Sequence, residues 1–266
     1  MGGLFQNSTF TTTPQVFYNT IPDVDAQAFI TAANITNGIQ KIAIYRLVTD
    51  LKGYNIWTKF KAIYPVVGGT AASHAVNLKT PGTYNLSFTG VWTHSSTGMT
   101  PTSAYANTGI VPSTVLNLNN THLSFYSRTD SNNTLNYDIG SYSPTVYNLI
   151  ILRDNNIYYN LFNTTQGVNS NVSNTSSLGF FNGNRTASNV DTAFKNGVKI
   201  INGTSASSSR PTVAIFIGAL NANGTPLYYS TKQCAFASIG DGLTDTEAAN
   251  FYTAVQRYQI LLNRQV

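Results

Sequence analysis

Glutamate occurs once in this 266-residue chain, at Glu247, and cysteine once, at Cys234. A lone cysteine excludes an internal disulfide, and in TKQCAFASIG it reads as a small buried hydrophobe. A lone glutamate removes the paired-Glu arrangement of many glycoside hydrolases. The aspartates are too scattered for a compact calcium site, and Asp241 with Asp245 reads as a turn and a helix cap. Histidine is limited to His74, His94 and His122, with no HxH or HExxH spacing, so no metal site is expected. No nucleophile elbow, phosphate loop or other cofactor motif is present. These absences lead to the expectation that the chain is not an enzyme.

Charge is also scarce, at 9% of residues, where about 25% is usual in soluble domains. Fifteen Lys and Arg stand against ten Asp and Glu. The basic residues form no run, which argues against nucleic acid as a partner. No stretch approaches the roughly 18 apolar residues of a membrane span. MGGLFQNSTFTTTPQVF has neither a basic start nor an apolar centre, so a secretion leader is not expected there.

What is abundant is Asn, Thr and Ser, with 16 Tyr and 14 Phe. Residues 1–20 read as an extended arm. Residues 21–73 read as a helical segment. IPDVDAQAFITAAN has Pro22 and two aspartates at its start, and a second helix runs from Thr36 to Gly53. NIWTKFKAIYP reads as a short third helix whose Trp57, Phe60 and Tyr64 are candidate anchors to a neighbouring subunit.

Residues 74–266 change character. HLSFYSR, VYNLIILR, NIYYNLFN, TVAIFIGAL and QCAFASI are β-type runs separated by DSNN, RDNN, FNGN and NANG turns. Residues 164–180 read as a loop. No crossover helix separates the strands, which predicts antiparallel sheets facing each other in a sandwich. The chain then closes on a helix. Thr244 and Glu247 form a capping box, and Ala248, Phe251, Tyr252, Val255, Tyr258 and Leu262 make one apolar stripe.

NLIILRDNNIYYNLFN, TVAIFIG and FASIGDGLTDTEAANFYTAVQRY resemble the concanavalin A-like, laminin G-like jelly roll. LVTDLKGYNIWTKFKAIYPVVGGTA, WTHSSTG and NNTHLSFYSRT are similar to a group of phage virion proteins with such a body. The resemblance implies a mostly β jelly-roll sandwich with an N-terminal helical segment and a C-terminal helix. It also implies a structural component of a tailed-phage particle, located in the virion, with identical subunits and other virion proteins as partners. The alternative is a carbohydrate-binding module for a host-surface glycan. Sugar pockets stack rings on aromatics, and Trp92, Tyr105 and Tyr142 are the candidates. If the pair Tyr158–Tyr159 lies in a strand, one ring must fall on each face.

Overall fold

The computed structural model describes residues 23–165 and 170–266. The arm expected over residues 1–20 lies outside them. In chain order the first elements are α1 (Val24–Ala32), α2 (Gly38–Gly53), a 3-10 turn (Trp57–Lys59), β1 (Phe60–Tyr64) and α3 (Ala71–Ala75). The hairpin β2 (Ser87–Ser95) and β3 (Gly98–Asn107) follows, then α4 (Pro112–Val115) and β4 (Thr121–Ser127). Next come β5 (Ile139–Tyr142), β6 (Val146–Asp154), β7 (Ile157–Thr165) and β8 (Ser170–Ser173). β9 (Gly179–Ala187), β10 (Val190–Lys195) and β11 (Val198–Gly203) form a meander. β12 (Phe216–Ile217), β13 (Leu220–Ala222), β14 (Thr225–Leu227), β15 (Cys234–Gly240) and α5 (Asp245–Leu261) complete the chain.

The helix starts are specified locally. Asp23 caps α1 by accepting from Asp25 N and Ala26 N, and Asn37 caps α2 by accepting from Gln40 N. At α5, Thr244 Oγ1 accepts from Glu247 N and the Glu247 carboxylate accepts from Thr244 N, as the capping box predicts.

The third expected helix is absent. Residues 57–59 form one 3-10 turn, and Phe60–Tyr64 extends as β1 against β15. Pairing with β15 and burial of Phe60, Ala62 and Tyr64 override the helical spacing of the same residues. The loop expected over 164–180 also contains β8 and the start of β9.

The expected two-sheet jelly-roll sandwich is not what forms. Eleven strands make one hydrogen-bonded path, β11-β10-β9-β4-β15-β3-β12-β5-β6-β7-β8, antiparallel at every step. β3 joins what would have been separate sheets: Met99 pairs with Cys234 of β15, and Ala106 and Asn107 pair with β12. The ends of the path come together through side chains. Ser170 Oγ on β8 lies 2.8 Å from Ser205 Oγ just past β11, and it donates to the Asp191 carboxylate of β10. The result is a nearly closed antiparallel barrel with helices at both ends of the chain. Regular alternation reports which face of a strand is buried, but not whether a sheet ends or bends into its neighbour.

Apolar residues divide into three groups. The barrel interior holds Leu123, Phe125, Ile139, Ile150, Tyr158, Phe162, Phe181 and Ile239, among others. A second core lies between the helices and the outer face of β15, β4 and β9: Phe29, Leu47, Phe60, Phe180, Phe236, Phe251 and Tyr258. The third is small. Leu149, Ile151, Leu161 and Leu220 lie on the outer face of β6, β7 and β13, with Tyr137, Tyr142, Tyr147 and Tyr159 packed against them.

Candidate functional site

α2 and α5 cover one side of the barrel, and among the described residues the face of β5, β6 and β7 on the other side has no helix over it. Strand alternation sets what that face presents. On β7, Tyr158 points inward and is fully buried, so Tyr159 points outward, as the paired tyrosines predict. On β5 and β6, Tyr142 and Tyr147 are directly paired, with ring centroids 4.4 Å apart. Tyr137 joins them from the segment before β5, with Tyr228 4.9 Å away. Phe216 pairs with Gly140, two residues before Tyr142, and stacks on Tyr105 of β3 at 4.3 Å. Tyr105 and Tyr142 therefore lie on the same side of the barrel wall.

The rings are half-buried, and Tyr228 is 38% exposed. Among the described residues, the hydroxyls of Tyr105, Tyr137, Tyr142, Tyr147, Tyr159 and Tyr228 make no protein hydrogen bond. Burial, together with Tyr147, Asp154, Tyr228 and Tyr159, pushes the Tyr137 phenol up to about 12. Burial followed by Tyr142 and Tyr228 also raises Tyr147. Both stay protonated and able to donate throughout the neutral range.

A buried polar cluster braces this face. Asp138 follows Tyr137 and is fully buried. Its Oδ1 accepts from Ser230 Oγ at 2.7 Å and lies 3.2 Å from Lys232 Nζ, and its Oδ2 accepts from Leu152 N at 2.8 Å. Lys232 Nζ also donates to Asn136 Oδ1, and Asn136 Nδ2 donates to the Tyr229 carbonyl. Tyr137 N donates to the Tyr228 carbonyl at 2.9 Å. The segments bearing Tyr137 and Tyr228 are thus tied to each other and to β6.

Trp92 is turned to the other side of the wall. It packs on the interior core and lies near Phe88 (5.3 Å) and His94 (6.2 Å), and its Nε1 is buried without a partner among the described residues. The expected subunit anchors Trp57, Phe60 and Tyr64 are all buried in this chain's own cores. Phe60 touches His122 and Phe251, Tyr64 Oη donates to the Tyr84 carbonyl, and Lys79 Nζ sits 4.3 Å from the Trp57 ring centroid.

One cluster brings serine and histidine together. Ser124, Ser238 and His122 form a chain with separations of 2.7 and 3.0 Å. His122 Nδ1 donates to the Asp241 carbonyl at 2.6 Å, which leaves Nε2 to accept from Ser238. All three side chains are fully buried, and Phe251 of α5 packs near the His122 ring. His74 and His94 meet Nδ1 to Nδ1 at 2.9 Å, and among the described residues no group of three or more His, Cys, Asp or Glu could hold a metal. Cys234 is buried.

Glu247 is held by the cap and by Lys59 Nζ at 2.5 Å. Partial burial raises its pKa, but Lys59 and Thr244 outweigh that and keep it below the usual value. No helix among the described residues is long and apolar enough to cross a membrane.

No family profile and no curated sequence matches the chain. Solved structures match its fold. A mutant Trypanosoma rangeli sialidase displaying trans-sialidase activity aligns at TM-score 0.54 and 9% identity, over 82% of this chain and 39% of the sialidase. The binding domain of botulinum neurotoxin serotype D aligns at 0.50 and 10% identity, over 75% of this chain and 51% of that one. NanB sialidase from Streptococcus pneumoniae aligns at 0.43 and 14% identity, over 61% of this chain; the chain spans about a quarter, 27%, of that enzyme's length.

Identity this low speaks for the fold alone. It is nevertheless a fold shared with part of a sialidase and part of a toxin binding domain. The virion assignment and its laminin G-like jelly roll are corrected accordingly. The expectation that the chain is not an enzyme is withdrawn on the same ground, because a protein named as a sialidase shares the fold. The short motifs behind the virion resemblance are strand, turn and cap signals, which many β proteins share.

Proposed function

We propose that the chain is a carbohydrate-recognition domain and that the tyrosine face is its binding surface. The observation carrying this reading is the row Tyr105, Tyr142, Tyr147, Tyr159, flanked by Tyr137 and Tyr228, on the barrel face that no helix among the described residues covers. Aromatic faces supply apolar contact to a sugar ring, and the free phenols supply hydrogen bonds to its hydroxyls. Five strands at about 4.8 Å spacing make a strip of roughly 19 Å, room for a short oligosaccharide. The fold's likeness to proteins named as a sialidase and a toxin binding domain supports the same reading.

The test is a glycan array carrying neutral and sialylated oligosaccharides, probed with wild type and with Tyr142→Ala/Tyr147→Ala. The expected result is retention of one glycan class and at least a tenfold loss in the variant, or about 1.4 kcal/mol. Binding that the double variant leaves intact would place the site elsewhere. No retention of any glycan would reject the reading.

A further inference from the structure

β2 is hydrogen-bonded along one side only. It pairs with β3 from Ser87↔Asn107 to Ser95↔Gly98, and among the described residues no other strand pairs with it. The other free edges are guarded in ways that commonly block strand addition. β14 is three residues long and contains Pro226. β8 and the end of β11 face each other across the barrel seam. β2 has neither device; its one irregularity is a register shift against β3 between Thr89 and Val91, where Gly90 takes φ +82°. It runs for nine residues, SFTGVWTHS, with no proline and no Lys, Arg, Asp or Glu.

Its two faces differ. Phe88, Trp92 and His94 turn inward, where they pack on one another, and His94 meets His74. Ser87, Thr89, Val91 and Thr93 are exposed, and Val91 has 66% of its surface open. An exposed β-branched residue in mid-strand, on an uncharged edge, is the kind of feature that soluble β proteins suppress.

The strand is also close to its own reverse. About Val91, Ser87 mirrors Ser95, Phe88 mirrors His94, Thr89 mirrors Thr93, and Gly90 mirrors Trp92. A two-fold interface requires a self-complementary surface, and two antiparallel copies of this strand provide one. With the axis at Val91, serine faces serine, threonine faces threonine, aromatic faces aromatic, and Val91 faces its copy. Cross-strand Thr–Thr and β-branched pairs are favourable. Trp92 of one copy falls opposite Gly90 of the other, where an aromatic covers the gap that a glycine leaves. No like charges meet.

The geometry points to a second copy of this chain as the partner of β2, paired antiparallel with the two-fold axis at Val91, so that the barrel wall continues from one protomer into the next. The contact is about 30 Å of strand. It involves the β2 edge rather than Tyr142, Tyr147 or Tyr159, and it does not depend on the carbohydrate reading.

The test uses the full chain in sedimentation velocity from about 1 to about 100 µM, where a self-association equilibrium shows as concentration dependence. Wild type is expected to pass from monomer to dimer. Val91→Lys and Val91→Glu each place like charges face to face on the axis, and each alone is expected to weaken association at least tenfold. An equimolar mixture of the two places Lys opposite Glu and is expected to restore the dimer. Val91→Thr, uncharged, is expected to dimerise as wild type does. Because Val91 is exposed, melting temperatures near that of wild type verify that the charged variants fold. A wild type that is monomeric throughout would overturn the inference. So would a Val91→Lys that dimerises normally, or a Lys and Glu mixture that stays monomeric.

Discussion

Lys232 Nζ lies 3.2 Å from Asp138 Oδ1, and both side chains are fully buried. Two charges out of water are tolerated here because Ser230, the Leu152 amide and Asn136 complete the hydrogen bonding around them. The pair also fixes the chain on either side of Tyr137 and Tyr229. Lys232→Met leaves Asp138 buried and uncompensated, and a loss of about 3–5 kcal/mol is expected in urea unfolding. The double change Asp138→Leu/Lys232→Met is expected to be milder than Lys232→Met alone. A more damaged double variant would show that the two residues do not act as a pair.

Phe251 joins the C-terminal helix to the barrel. It is fully buried, and its ring centroid lies 4.9 Å from that of Phe60, 5.1 Å from Phe180 and 5.9 Å from Phe236. Phe251→Ala is expected to cost about 3–5 kcal/mol in chemical denaturation. A loss below about 1 kcal/mol would mean that α5 repacks over the gap.

Glu247→Gln probes the start of the same helix. Glutamine still serves the capping box, so what goes is the partly exposed ion pair with Lys59. A loss of no more than about 1 kcal/mol is expected, and it should shrink in high salt. Salt-independent loss in thermal melts would show that the cap rather than the ion pair was damaged.

Acid should destabilise the chain through its histidines. Burial, with Lys59 and Lys61 adding to it, lowers His122 from 6.5 to about 4 against the opposing hydrogen bond to Asp241. Burial, then His94 and Arg264, lowers His74 to about 3. The unfolded chain therefore binds more protons than the folded one between those values and about 6.5, and stability rises with pH in that window. Urea midpoints are expected to be flat above pH 7 and to fall from about pH 6.5 towards pH 4. His122→Gln is expected to flatten part of that slope, and an unchanged slope would assign it to other groups.

The phenol of Tyr137 is expected to ionise near pH 12. The difference between ultraviolet titrations of wild type and Tyr137→Phe isolates it. A step near the ordinary value of about 10 would mean that the ring is freely solvated and not part of a packed cluster.

Much of the local structure was legible in the chain itself. The cap at Thr244 lies where its sequence puts it, because a capping side chain needs only backbone two or three residues away. The runs around Leu123, Leu149 and Phe236 are strands because aromatic and aliphatic residues between turn signals favour extended backbone, whose side chains point to opposite faces in turn. The opposite burial of Tyr158 and outward turn of Tyr159 follow from that same period of two.

Tertiary structure decided everything that depends on which strands meet. Phe60–Tyr64 became a strand because β15 was there to pair with it. The two expected sheets became one wall because β3 bonds to β15 at Met99 and to β12 at Ala106 and Asn107. Of the three aromatics expected to hold sugar, Tyr142 and Tyr105 came to one face while Trp92 went to the other. The sequence by itself determined what each strand offers to either side. Which side is left without a helix among the described residues was decided only when α2 and α5 packed on the face of β15, β4 and β9, away from the tyrosines of β5, β6 and β7.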